Sequence, residues 1–247
     1  MSKSRHFKLR TLAATFSSGH CIPWHAHRWC QLVYAASGAM EVRTETQTWI
    51  VPARRAVWVP VELRHQVSMF GEVQMRTLYF HPEMRVYAGN RCQAVNVSNL
   101  MHELILHACT LGIVTPDSVE TSSLLKLLIC RAKQMEHQPL ALPMPSDGRA
   151  SAAARLLLDQ PALPLATAAG RCGLSVRSLQ RLYRQQTGMS FGRWRNQARM
   201  MSAIRLLADG QQVTQVALTL GYESMSAFIF AFRKFFGKTP ARYFDER

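Results

Sequence analysis

The spacing of apolar residues changes period near residue 96 and is helical from there onward except over 138–146. From residue 8 to about residue 80, short runs rich in Val, Trp, Tyr, Thr and Phe (QLVYAAS, AMEVRTET, QTWIVPA, AVWVPV, VQMRTLYF) alternate with polar positions. Gly38, Pro52, Pro60 and Gly71 punctuate them. Short strands at near-regular spacing predict a compact antiparallel barrel or sandwich over 8–95. Apolar spacing of three and four then predicts a helical segment over 96–137. Its first helix carries Leu100, Leu104, Leu106, His107 and Leu111 near one face. Its second carries Val119, Leu124, Leu127, Leu128 and Met135, with Asp117 or Ser118 as the cap. These helices can pair two chains into a homodimer or cover the barrel's own core. Residues 138–146, with Pro139, Pro143 and Pro145 and no helical period, predict a linker. The remainder, 147–247, reads as all-α.

That last part repeats itself. LATAAGRCGLSVRSLQRLYRQQTGMS (165–190) and VTQVALTLGYESMSAFIFAFRKFFGKTP (213–240) superpose at an offset of 48 up to Leu174 and Tyr222, and at 49 afterwards. Each copy predicts a short helix, a Gly-containing turn, a Ser-capped second helix with an apolar 3.6-period face, and a Gly-marked exit. Ala169 and Ala217 let the two short helices cross closely. Ser175 and Ser224 cap the second helices. These are two helix-turn-helix units, at 165–187 and 213–236, joined by the helix FGRWRNQARMMSAIRLLADG, a rod that sets the distance between reading helices. In the first unit Ser175, Val176, Arg177, Gln180, Arg181 and Arg184 face outward. Arg matches guanine O6 and N7, and Gln matches adenine N6 and N7, so Arg177, Gln180 and Arg181 are assigned to base edges or flanking phosphates and Arg184 to phosphate. In the second unit the outward set is Ser224, Met225, Ser226, Ile229, Arg233 and Lys234, with Phe230. This face is less polar and suits affinity and register more than base discrimination. Arg193, Arg195 and Arg199 on the rod are further phosphate candidates or simply exposed.

Charge agrees with a polyanionic partner. The chain carries 30 Lys and Arg against 15 Asp and Glu, a formal net charge of +15, and residues 147–247 hold 15 of the basic residues against 6 acidic ones. Such a field steers a protein towards double-stranded DNA. No apolar run is long enough to span a membrane, and no apolar signal segment follows the basic start, so a cytoplasmic, nucleoid-associated protein is expected. The six cysteines show no zinc-finger spacing and read as reduced thiols.

The N-terminal part carries one chemical constellation: Gly19-x5-His25-x-His27-x3-Gln31-x6-Gly38, then Pro60-x4-His65. On a strand, His25 and His27 share a face, and folding His65 against them collects three imidazoles. They form a divalent metal site with Gln31 as a weak oxygen donor, or hydrogen-bond within an effector pocket of Trp24, His25, His27, Gln31 and His65, or are structural. Trp29, Trp49 and Trp58 are further candidates for aromatic walls. The spacing resembles the two motifs of the cupin family, with Gln31 in place of the usual Glu and Glu62 in place of a Gly.

Over about 147–244, the segments CGLSVRSLQRLYRQQTGMSFGRW, RMMSAIRLLADG and VALTLGYESMSAFIFAFRKFFGKTPARY resemble the AraC/XylS family of bacterial transcriptional regulators. The resemblance implies an N-terminal all-β cupin-like barrel with appended helices and a C-terminal domain of two helix-turn-helix motifs. It implies promoter binding, a small-molecule effector, contact with RNA polymerase in an activator, and no catalysis. The alternatives are a metal-dependent cupin enzyme with a DNA-binding tail, and a repressor that needs no ligand.

Overall fold

The computed structural model describes residues 9–87, 89–138 and 141–244. Lys8 at the edge of the expected barrel, Pro139 and Leu140 of the expected linker, and residues 245–247 lie outside the described residues. The chain divides into two compact units. One comprises residues 1–45 and 51–141; the other comprises 46–50 and 142–247.

The strands of the first unit are β1 (Leu9–Phe16), β2 (Cys21–His25), β3 (Cys30–Arg43), β5 (Arg55–Val59), β6 (His65–Phe80), β7 (Gln93–Asn96), β8 (Ile113–Val114) and β9 (His137–Gln138). Its helices are α1 (Asn99–Leu111) and α2 (Val119–Lys133). The 16-residue β6 organises the sheet. It pairs with β3 along one side; on its other side its first residues pair with β2 and its last eight with β1. All these pairings are antiparallel.

The expected closed cupin-like barrel does not form. The strands run β8-β1-β6-β3-β5-β7-β9, so the sheet is open, ending at β8 and β9. Both end strands are two residues long, which offers too few backbone groups to seal a seam. Burial is achieved by cover instead. Alternate residues Cys30, Leu32 and Tyr34 of β3 and Leu78 and Phe80 of β6 form one core with Met101, Ile105 and Ala108 of α1 and Leu124, Leu125, Leu128 and Ala132 of α2. Trp58 belongs to that core, and Trp49 is also buried, so neither is an exposed pocket wall.

The first helix presents a face one position away from the leucine-rich one expected, while the second buries Leu124 and Leu128 as expected, with Leu125 and Ala132 beside them. Leu100 and Leu111 are exposed, as is Val119 at 87%. The stripe Met101–Ile105–Ala108 wins on α1 because the small Ala108 lets the helix axis approach the sheet. The caps fall where hydroxyls permit: Ser98 Oγ accepts from Met101 N, and Ser118 forms a reciprocal capping box with Thr121.

In the second unit β4 (Gln47–Pro52), of which residues 47–50 belong here, pairs with β10 (Ala141–Pro143). Seven helices follow: α3 (Gly148–Asp159), α4 (Leu165–Arg171), α5 (Val176–Thr187), α6 (Phe191–Ala208), α7 (Val213–Thr219), α8 (Met225–Phe236) and α9 (Pro240–Phe244). Asp147 caps α3 by accepting from Arg149 N and Ala150 N. The centre is Trp194 on α6, fully buried against Tyr183 and Phe191, its indole N–H donating to Pro143 O at 2.8 Å. No helix among the described residues is long and apolar enough to cross a membrane.

Candidate DNA interface and imidazole cluster

The repeat in sequence is a repeat in space. Gly173 and Gly221 take left-handed φ of 65° and 75°. Behind each, the N–H two residues past the short helix's capping residue returns to the small alanine's carbonyl: Leu174 N to Ala169 O at 3.0 Å, and Tyr222 N to Ala217 O at 2.9 Å. Ser175 Oγ accepts from Ser178 N and Ser224 Oγ from Ala227 N, both at 3.1 Å. The apolar pairs Leu179/Tyr183 and Phe228/Phe232 are fully buried, and Gly188 and Gly237 end both helices in the left-handed region.

Burial of one stripe fixes the opposite face. On α5, Val176, Arg177, Gln180, Arg181 and Arg184 are exposed, with Arg181 donating to Gln185 Oε1 at 3.2 Å. Between Gln160 and Ala208 the chain has eight arginines and no acidic residue, so this stretch carries a strongly positive local charge. The hydroxyls of Ser175 and Ser224 already cap their helices. On α8, Met225, Ser226, Arg233 and Lys234 are exposed, Ile229 is half-buried, and Phe230 is 70% exposed.

Two rod arginines have another role. Arg195 Nη2 donates to Leu163 O at 2.6 Å and Pro161 O at 3.3 Å. Arg199 donates to Pro161 O and lies 5.7 Å over the Tyr222 ring. They fasten the loop before α4 and the turn of the second unit to α6. Sequence spacing missed this, because both sit at helical positions indistinguishable from Arg193, which is exposed.

In the first unit the three imidazoles do meet. His25 ends β2 directly opposite His65 at the start of β6, with ring centroids 4.2 Å apart. His27 lies beyond the strand, on the loop to β3, so shared strand parity is not what aligns it. Its carbonyl accepts from Glu62 N at 2.8 Å, and Glu62 holds φ at 58°, the left-handed geometry that glycine favours. His27 stands 5.1 Å from His65 between ring centroids. Ring nitrogens of all three lie within 4.8 Å of one another, a donor set able to hold a metal ion. His65 is fully buried. Burial holds its pKa down at about 4, against the Leu63 carbonyl, which favours the protonated ring, and with the charges of His25 and His27 adding to the depression. Gln31, 3% exposed on β3, points its amide at His27 Nε2, 2.7 Å away. Trp24 alternates with His25 along β2 and carries the Arg64 guanidinium 5.7 Å from its ring centroid.

A separate cavity of about 440 Å³ is lined by Arg55, Asn96, Met101, Arg131 and Glu136, among others. No motif announced it, since its walls come from β5, β7, α1, α2 and the segment after α2.

Comparison with known families matches residues 6–160 to the AraC-like ligand binding domain and residues 168–246 to a helix-turn-helix domain. The chain belongs to the AraC/XylS family. Among AraC/XylS relatives, the HTH-type transcriptional regulator NimR of Escherichia coli K12 is 33% identical over 223 residues, covering 90% of this chain and 81% of NimR. The HTH-type transcriptional regulator RipA of Corynebacterium glutamicum is 36% identical over 103 residues, 41% of this chain and 31% of RipA. The right origin-binding protein of Escherichia coli K12 is 36% identical over 87 residues, 35% of this chain and 30% of that protein. As an AraC/XylS member the chain is a ligand-responsive, DNA-binding transcription regulator and not an enzyme.

Proposed function

We propose that this regulator reads promoter DNA chiefly through α5, with Arg177, Gln180 and Arg181 on base edges and Val176 and Arg184 beside the flanking backbone. The α8 face of Met225, Ser226, Ile229, Arg233 and Lys234 adds affinity and register, and Ser175 and Ser224 hold the two helix starts that approach the phosphates. The observation that carries this reading is the duplicated, Ser-capped helix with one stripe buried and an exposed Arg/Gln face on the first copy. The first unit supplies the response: a small effector bound beside Trp24, His25, His27, Gln31 and His65 biases the DNA-binding unit. RNA polymerase is the further partner wherever the chain activates, and the exposed Leu100 and Leu127 suit pairing of two chains through α1 and α2.

Selection from random duplexes, followed by affinity measurements on the selected site and on random DNA, tests this. Arg177→Ala and Gln180→Ala are each expected to lose roughly 1–3 kcal/mol on the selected site and less on random DNA. Arg233→Ala is expected to weaken both alike. Equal losses on both substrates for Arg177→Ala remove it from base reading.

A further inference from the structure

The geometry points to a metal site with uncharged donors: His25, His27 and His65 bind a late first-row divalent transition metal through their Nε2 atoms. Gln31 Oε1 is the fourth donor, and the ion keeps enough charge to recruit an anionic ligand. This inference concerns the first unit alone and does not rest on how α5 or α8 meets DNA.

The tautomers decide which nitrogens are offered. Nδ1 of His25 lies 2.8 Å from Pro23 O, that of His27 2.6 Å from Trp29 O, and that of His65 2.9 Å from Leu63 O. A carbonyl oxygen only accepts, so each Nδ1 carries the proton and each neutral ring presents a lone pair at Nε2. Backbone carbonyls gripping the far ring nitrogen are the outer-shell arrangement that orients metal-ligating histidines. Here it occurs three times in one cluster.

Two further observations concern atoms left without ordinary partners. His65 Nε2 is buried and has no hydrogen-bond partner, on a side chain that is itself fully buried. The Gln31 NH2 donates to Thr77 Oγ1 at 3.4 Å and Tyr79 Oη at 3.1 Å, which turns its carbonyl oxygen towards His27 Nε2 at 2.7 Å. Two lone pairs facing each other at that distance repel unless a proton or a cation lies between them. A metal ligated by both turns the repulsion into two bonds.

The dimensions are compatible. Donors at about 2.1 Å from a tetrahedral ion stand about 3.4 Å apart, and the ring nitrogens here are within 4.8 Å of one another. His25, at a strand end, and His27, on a loop, are half-buried and can shift while His65 stays fixed, drawing the rings together and opening the 2.7 Å between His27 Nε2 and Gln31 Oε1 towards the same spacing. Imidazole and amide donors favour Zn2+, Ni2+, Co2+ or Cu2+ over Mg2+ or Ca2+. The set contains no carboxylate. Glu62, the nearest acid in sequence to His65, is exposed and stands 4.0 Å from Arg28. The ion's two charges are therefore met by nothing in the donor set, and a small anion or an anionic effector completes them.

The test uses the full chain, stripped with chelator, with Co2+ as the probe and visible d–d absorption as the readout. One saturable band at one equivalent is expected, shifting when azide is added as the probe anion. His25→Ala and His65→Ala should each abolish the band. Because His65→Ala can also disturb folding, Gln31→Glu supplies an independent arm: added ligand charge should tighten Co2+ binding about ten-fold or more and suppress the azide shift. Absence of a saturable band, or a band that survives His25→Ala and His65→Ala, overturns the metal site. A band indifferent to azide overturns anion recruitment, and Gln31→Glu binding no tighter than the unaltered chain removes Gln31 from the donor set.

Discussion

Replacing Arg195 by methionine separates two roles an arginine on α6 can play. If it holds phosphate, its loss lowers the salt dependence of DNA binding and leaves the fold alone. If it fastens the loop before α4, its loss lowers stability and leaves the salt dependence alone. The structure favours the second. The guanidinium donates to Leu163 O at 2.6 Å and, more weakly, to Pro161 O at 3.3 Å. Charged hydrogen bonds contribute about 1.5–3 kcal/mol each at best. Against this stand the unpartnered, buried Nε and the burial of the guanidinium, which with the lesser repulsion of Arg199 pushes the Arg195 pKa down. Methionine keeps most of the aliphatic packing and removes the orphan donor. The net loss is therefore about 2 kcal/mol, or roughly 10 °C in Tm for a unit of this size. Thermal unfolding and DNA titrations over a range of salt concentrations are the assays. The slope of log K against log salt should match that of the unaltered protein, whereas a lost phosphate contact would reduce it by about 0.9. A reduced slope with an unchanged Tm would refute the clamp and restore Arg195 to the DNA face.

Glu62→Gly relieves a left-handed backbone at φ 58° and should leave stability unchanged or raise it by about 1 kcal/mol in denaturant unfolding, since the Arg28 pair it removes is exposed. Phe228→Ala opens a cavity under the second helix-turn-helix and should cost about 3–5 kcal/mol, while Phe230→Ala, two residues away but 70% exposed, should change stability by less than about 0.5 kcal/mol. In the chelator-treated chain, His65 is depressed from 6.5 to about 4, so the unfolded chain binds its proton first on acidification. Stability should be full above pH 6.5 and fall by about 3 kcal/mol as pH drops through the window to 4. His65→Gln should flatten that part of the profile, and an unchanged profile would show that the ring titrates normally.

The two halves of the chain were legible to different depths for a physical reason. A helix-turn-helix is specified within some twenty residues. The alanine that permits the crossing, the left-handed glycine and the capping serine act locally, so Ala169, Gly173 and Ser175 and their counterparts Ala217, Gly221 and Ser224 announce the unit before any tertiary contact forms. Barrel closure has no local signature. It depends on what the two end strands meet, and here α1 and α2 bury the apolar face while β8 and β9 stay short, a choice made by Met101, Ile105 and Ala108 in place of the more numerous leucines. The histidine cluster falls between these extremes. The strand β2 brings His25 to His65 through pairing 40 residues apart in sequence, but His27 arrives by a loop whose path is held by a glutamate in a glycine's conformation. Spacing identified the residues and not the route. The same reasoning explains why spacing alone makes Arg195 and Arg199 phosphate candidates: a helix reveals which residues share its face, and only the packing partner decides whether that face looks outward to phosphate or inward to carbonyl oxygens.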